Sequence, residues 1–190
     1  MTEAEIIKSF QYEGFDISSY ANNIQIVDSD DCKLIDKDKK AIVTTSTFSC
    51  ANILVYNKNF AFLVHMFPSE TVGKNNKFDT RVEYLKKLFL EKQVSEVNVM
   101  VSLGASIDYE KNMNFHNLDH INNKLNGLAD FCQDNNIVLN MLPTIRSKYL
   151  LFDLEKQLLI VDNEEKKAIE INKLELLKNQ LTNFSSKKSK

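Results

Sequence analysis

Residues 50–67 read CANILVYNKNFAFLVHMF, two apolar runs joined by Asn57, Lys58 and Asn59. A short Asn-containing link between β-type runs is a hairpin signal. With the turn centred between Asn57 and Lys58, Ala51, Ile53 and Val55 oppose Val64, Phe62 and Phe60, a wholly apolar face suited to a core. Cys50, Asn52, Leu54 and Tyr56 then oppose His65, Leu63, Ala61 and Asn59 on a mixed second face. A one-residue slip would exchange the faces, so burial is expected to hold the pairing. In this register Cys50 lies directly across from His65, at the strand end far from the turn and facing away from the deepest core. Directly opposed residues on antiparallel strands place their Cβ atoms roughly 4.5–5.5 Å apart, within reach of a thiol–imidazole hydrogen bond.

Upstream, residues 41–47 are rich in β-branched side chains and read as a strand, and residues 23–27 alternate as a short one. Residues 28–40 are almost entirely charged apart from Cys32, Leu34 and Ile35, the pattern of a solvated loop with an embedded turn. Downstream, Pro68 ends the second hairpin strand because it lacks a ladder donor. Asp79 is placed to cap a helix over residues 80–92, with Val82, Leu85, Leu88 and Phe89 on its buried face. A Val/Met-rich strand follows at 96–103, stopped by Gly104. Next come a helix over 118–133 with Ile121, Leu125, Leu128 and Phe131 inward, and a strand at 137–142. Residues 149–153 and 158–162 form a second hairpin, and residues 165–184 have the apolar spacing of a closing helix.

This order predicts one layered α/β (α+β) domain. Its mostly antiparallel sheet core carries the Cys–His hairpin and is flanked by helices. The core covers residues 41–162, with an N-terminal extension over 1–40 and a C-terminal helix and tail over 163–190.

The totals agree with a globular chain: 190 residues, 43% hydrophobic and 26% charged. A net charge of −2 gives no electrostatic reason to expect nucleic acid or an anionic membrane as partner. No apolar run approaches the roughly 18 residues of a membrane span, and the glutamate-bearing start lacks the pattern of a signal peptide. Cys32, Cys50 and Cys132 are odd in number and widely spaced, so a reducing compartment is expected over a disulfide framework. The expected location is cytoplasmic, and delivery as a signal-less secreted effector would leave the same sequence.

The candidates for chemistry are Cys50 and His65. A thiol is a poor nucleophile below its pKa of roughly 8.5, and an adjacent imidazole converts it to thiolate. A thiolate so formed can attack a carboxamide carbon, after which the imidazolium would protonate the departing ammonia and water would release the acid. A third group normally orients the imidazole, and Thr44, Thr45, Ser46, Thr47 and Ser49 supply hydroxyls just upstream. The plainer reading is a buried cysteine acting as a small hydrophobe beside a polar strand histidine. Cys32 and Cys132 have no predicted histidine partner and read as structural. His116 and His120 sit four apart without a third ligand, which describes a surface pair and not a metal site. No cofactor is called for.

At these residues the sequence resembles the CheD family of chemoreceptor glutamine deamidases. The segment Thr44-Thr45-Ser46-Thr47-Phe48-Ser49-Cys50 resembles that family's T-x-G-L-G-S-C, and residues 51–56 its V-x-V-x-L-Y-D strand. Val64-His65-Met66-Phe67-Pro68-Ser69-Glu70 resembles its A-H-x-M-L-P-E. Leu103-Gly104-Ala105 resembles the end of its F-G-G-A strand, and Tyr149-Leu150-Leu151-Phe152-Asp153 its K-V-L-F-D. About residues 41–162 follow the family's order of elements. A wider resemblance takes in the cytotoxic necrotizing factor toxins, Cys–His enzymes that deamidate a host-protein glutamine.

The resemblance implies Cys50 as nucleophile, His65 as base and Thr44 as the residue orienting His65. It implies a glutamine-bearing protein substrate such as a chemoreceptor, and a CheC-type phosphatase as a possible docking partner. Phe48 and Ser49 are expected at the substrate site. Phe48 stands where the family has glycine, so its ring is expected to wall the pocket. The family's G-G-x-x-G-R is replaced by Pro143-Thr144-Ile145-Arg146-Ser147-Lys148, and Cys50 and His65 lie 15 positions apart, closer than is usual for CheD. Two other readings share these residues: a non-catalytic binding protein that has kept the fold, and a cysteine protease or other thioester-forming hydrolase.

Overall fold

The computed structural model describes residues 2–12, 14–45, 50–66, 77–104, 115–142, 144–161 and 168–170, the side chains of 115–120, 146 and 168–170 excepted. In chain order the elements are α1 (Glu3–Tyr12), β1 (Ile24–Val27), β2 (Cys32–Ile35), β3 (Ala41–Thr44), β4 (Ala51–Tyr56) and β5 (Ala61–Met66). They continue with α2 (Lys77–Glu91), β6 (Glu96–Leu103), α3 (Phe115–Asp134) and β7 (Val138–Met141). The last are β8 (Ile145–Arg146), β9 (Leu150–Asp153), β10 (Leu158–Val161) and β11 (Ala168–Glu170). The fold is mixed α/β, and its strands form two sheets. The first runs β1-β3-β9-β10-β11, and the second β2-β5-β4-β6-β7 with β8 also on β6.

Alternation along the strands gives each sheet two faces, and every face is covered. One face of the second sheet, with Ile53, Val55, Phe62, Val64 and Val99, packs against Val82, Leu85 and Phe89 of α2 and Ile121, Leu125 and Leu128 of α3. Its other face, with Leu54, Tyr56, Leu63 and Met100, packs on Ile42, Leu150, Phe152 and Leu159 of the first sheet. The rings of Tyr56 and Phe152 meet across this seam at 4.6 Å between centroids. The outer face of the first sheet is closed by Ile6 and Phe10 of α1 with Ile17 and Tyr20. The result is four layers in the order helix, sheet, sheet, helix.

The first forty residues are built into both sheets: β1 pairs parallel to β3, and β2 pairs antiparallel to β5. The loop expected over 28–40 therefore contains a strand. Cys32 and Leu34 pack on the helix side while Ile35 enters the seam, and these three apolar residues suffice to seat an edge strand. α1 starts at a reciprocal cap. Thr2 Oγ1 accepts from Glu5 N–H at 3.3 Å, and Thr2 N–H donates to Glu5 Oε2 at 2.6 Å. α2 begins two residues before Asp79, whose carboxylate binds Lys124 of α3 at 2.9 Å and so joins the two helices.

Where a closing helix was expected, residues 168–170 form β11 and pair with β10, and residues 171–190 lie outside the described set. Apolar side chains at mixed spacing serve either period, and the free edge of β10 decided for a strand. Among the described residues no helix is long and apolar enough to cross a membrane.

Candidate active site

The hairpin of β4 and β5 forms with a register two residues from the expected one. Asn52, not Cys50, lies opposite His65, and Ile53 opposes Val64. The turn is the cause. Asn57 Oδ1 accepts from Asn59 N–H at 2.8 Å and Phe60 N–H at 3.1 Å, and Asn57 N–H donates to the Phe60 carbonyl at 3.0 Å. These bonds centre the turn between Lys58 and Asn59, and fully buried Phe60 anchors it beside Phe89 at 6.4 Å between ring centroids. A shift of two preserves every side chain's face, so the apolar and mixed faces are sorted as expected.

Cys50 immediately precedes β4. Its carbonyl accepts from Gly104 N–H at 2.9 Å, one step past the Ala51–Leu103 pair of the β4–β6 ladder. By strand alternation Cys50 shares the face of Asn52 and His65. It is a diagonal neighbour of His65, a relationship that spans roughly 7–8 Å between Cα atoms and less between Cβ atoms. Cys50 is 4% exposed and belongs to none of the three apolar clusters among the described residues.

The mixed face does not turn outward. The first sheet covers it, and His65 is fully buried in the seam. There Thr44, at the end of β3 in the opposite sheet, places Oγ1 2.7 Å from His65 Nδ1. The His65 backbone N–H donates to the Asp31 carbonyl at 2.9 Å, tying β5 to the start of β2. Burial pushes the imidazole pKa down to about 4; Arg81 adds to the fall and Asp28 opposes it. Burial thus favours the neutral imidazole, in place of the resting imidazolium of an ion pair.

Two polar residues of this site carry no sequence expectation of chemistry. Asn52 is flanked by His65 on β5 and Ser102 on β6, and is itself fully buried. Neither its Oδ1 nor its Nδ2 has a hydrogen-bond partner among the described residues. Such an arrangement costs about 1–3 kcal/mol per unsatisfied group. Ser102 Oγ instead bonds Ser147 Oγ at 2.6 Å, both buried. The available signal was a strand-depleted Asn on the same alternation as Cys50 and His65.

The other candidates lie elsewhere. Cys132 is buried among the apolar side chains between the helices and the second sheet, and burial pushes its thiol up to about 11. Cys32 is half-buried on β2, and burial raises its thiol pKa as well, against the opposing charge of Arg81. Phe48 and Ser49 lie outside the described residues, as does Pro68; His116 and His120 fall on α3 where side chains are not described.

No protein-family model matches the chain, and no curated protein does. Among solved structures, the crystal structure of the hypothetical protein YfiH of Bacillus licheniformis is similar at a TM-score of 0.29 and 8% identity. The match covers 56% of this chain and 51% of that one, so the chain spans about half the length of the structure it matches.

Proposed function

We propose that the chain is a cysteine-dependent protein-glutamine deamidase in which Cys50 is the nucleophile, His65 the general base and Thr44 the group that orients the imidazole. The observation that carries this reading is the buried 2.7 Å contact between Thr44 Oγ1 and His65 Nδ1 across the seam, on the face that Cys50 shares by strand alternation. The resemblance to CheD named the same three residues from sequence. When Nδ1–H donates to Thr44, Nε2 bears the lone pair, which is the tautomer a base requires.

The steps then follow. Nε2 takes the Cys50 proton as Sγ adds to the glutamine carboxamide carbon. The tetrahedral species collapses with cleavage of the C–N bond, and the imidazolium gives its proton to the leaving ammonia. Water, deprotonated by Nε2, adds to the thioester; the C–S bond breaks and the thiolate recovers the proton. Glutamine and water become glutamate and ammonia, with no redox change and no cofactor. On the same resemblance, the substrate is a chemoreceptor or another glutamine-bearing protein of the cytoplasm, and a CheC-type phosphatase is a candidate docking partner.

The test is incubation with receptor cytoplasmic fragments, following ammonia release and mapping new glutamates by peptide mass. Wild type should convert a defined glutamine and Cys50→Ser should not. Equal conversion by Cys50→Ser would remove Cys50 from the chemistry. A Cys50 that reacts with thiol reagents equally in wild type and His65→Gln would favour a binding protein.

A further inference from the structure

We propose that Asn52 is a substrate-binding residue whose carboxamide receives the primary amide that Cys50 attacks. The inference rests on the Cys50–His65 reading and adds the group that recognises the substrate.

Position comes first. On β4, Asn52 is the nearest same-face neighbour of Cys50, and in the ladder it stands opposite His65. Asn52 is thus the polar side chain of β4 that shares a face with both Cys50 and His65. The second consideration is satisfaction. Both carboxamide atoms are buried without a hydrogen-bond partner among the described residues. The polar side chains on either side are turned to others: His65 Nδ1 to Thr44, and Ser102 to Ser147. Buried polar groups are overwhelmingly paired, so one that is not calls for an explanation.

The third consideration is complementarity. A primary carboxamide offers one acceptor and two donors, and its natural counterpart is another carboxamide. Nδ2–H donated to the substrate carbonyl oxygen strengthens as that oxygen gains negative charge during attack. Oδ1 accepting from the substrate NH2 favours an amide over a carboxylate, which has no proton to donate. The same preference disfavours the glutamate product, whose carboxylate would face Oδ1 lone pair to lone pair. A water molecule held by Asn52 is the competing occupant, and it predicts no selectivity for amides.

The test uses the full chain and two thiol reagents, with modification of Cys50 followed by peptide mass. Iodoacetamide carries a primary carboxamide, and methyl methanethiosulfonate carries none. Asn52→Ala should slow the iodoacetamide reaction about tenfold, the loss expected for one hydrogen bond of moderate strength, and leave the other reagent's rate near wild type. Asn52→Leu should show the same loss of selectivity with a higher melting temperature, because it removes a buried unsatisfied group; a Asn52 that served packing alone would melt lower. His65→Gln, which removes the base, should slow both reagents. An unchanged ratio of the two rates in Asn52→Ala, with the His65 dependence intact, overturns the role of Asn52 and leaves the Cys–His reading standing. Rates insensitive to His65→Gln overturn both.

Discussion

Thr44 and His65 come from different sheets and meet at 2.7 Å, Oγ1 to Nδ1, in the buried seam between them. The contact makes the imidazole's orientation depend on how the two sheets pack, and not on the hairpin alone. Thr44→Val keeps the shape and removes the oxygen. It should lower turnover about tenfold or more with little change in KM, and cost about 1–2 kcal/mol from the unpaired imidazole N–H. Thr44→Ser should restore most of both. Ammonia release and urea unfolding measure the two effects.

His65 should be observed neutral in the folded protein at pH 5, where an ordinary histidine is mostly charged, because burial pushes its pKa down to about 4. The unfolded chain takes up this proton near the ordinary value of 6.5 while the folded chain refuses it. Stability from this group is thus intact above pH 6.5 and is lost as pH falls toward 4, by roughly 1.4 kcal/mol per unit of displacement, or about 3 kcal/mol in all. His65→Gln should flatten that part of the pH–stability curve. Imidazole NMR titration and urea unfolding between pH 7 and 4 provide the check.

Cys50→Ser should abolish deamidation while the melting temperature stays near wild type. Cys32→Ser should retain turnover, since its side chain lies opposite Val64 on the helix side of the sheet and not on the face of His65. Cys132→Ser puts a hydroxyl into an apolar core and should cost about 1–3 kcal/mol, yet keep turnover at temperatures where it is folded. Loss of turnover in Cys32→Ser or Cys132→Ser, with turnover kept in Cys50→Ser, would move the nucleophile.

Asn57→Ala removes the acceptor that holds Asn59 and Phe60 in the turn. The expected cost is about 1 kcal/mol in unfolding experiments. The site lies at the far end of the strands, so the activity of the folded protein should not change. A drop in turnover that exceeds the unfolded fraction would show that the turn sets the register at His65.

Much of the site was legible because strand alternation is a local property. Cys50, Asn52 and His65 share a face under any even shift of register, and the apolar partners Ile53, Val55, Phe62 and Val64 are sorted by the same rule. Residues 96–103 and the paired runs near 150 and 160 were legible for the same reason: enough apolar residues at one period, with stops at Gly104 and a four-residue turn. α1 was missed although its signature, Thr2 followed three residues later by Glu5, was present. A ten-residue helix with only Ile6 and Phe10 buried has little periodicity of its own.

By itself the sequence determined the faces of the hairpin and the mix of strands and helices, and its resemblance to a known family singled out Thr44, Cys50 and His65 as candidates. These follow from side-chain alternation and from short motifs, which need no distant partner. Tertiary structure alone decided that Asn52 stands opposite His65, because a turn's hydrogen bonds choose among registers that leave the alternation unchanged. It also decided that β2 and β11 are strands, since unpaired sheet edges supply bonds no local pattern can. Above all it decided that His65 is buried and held by Thr44. Burial comes from the second sheet, and the packing of two sheets is a long-range event that neither strand encodes alone.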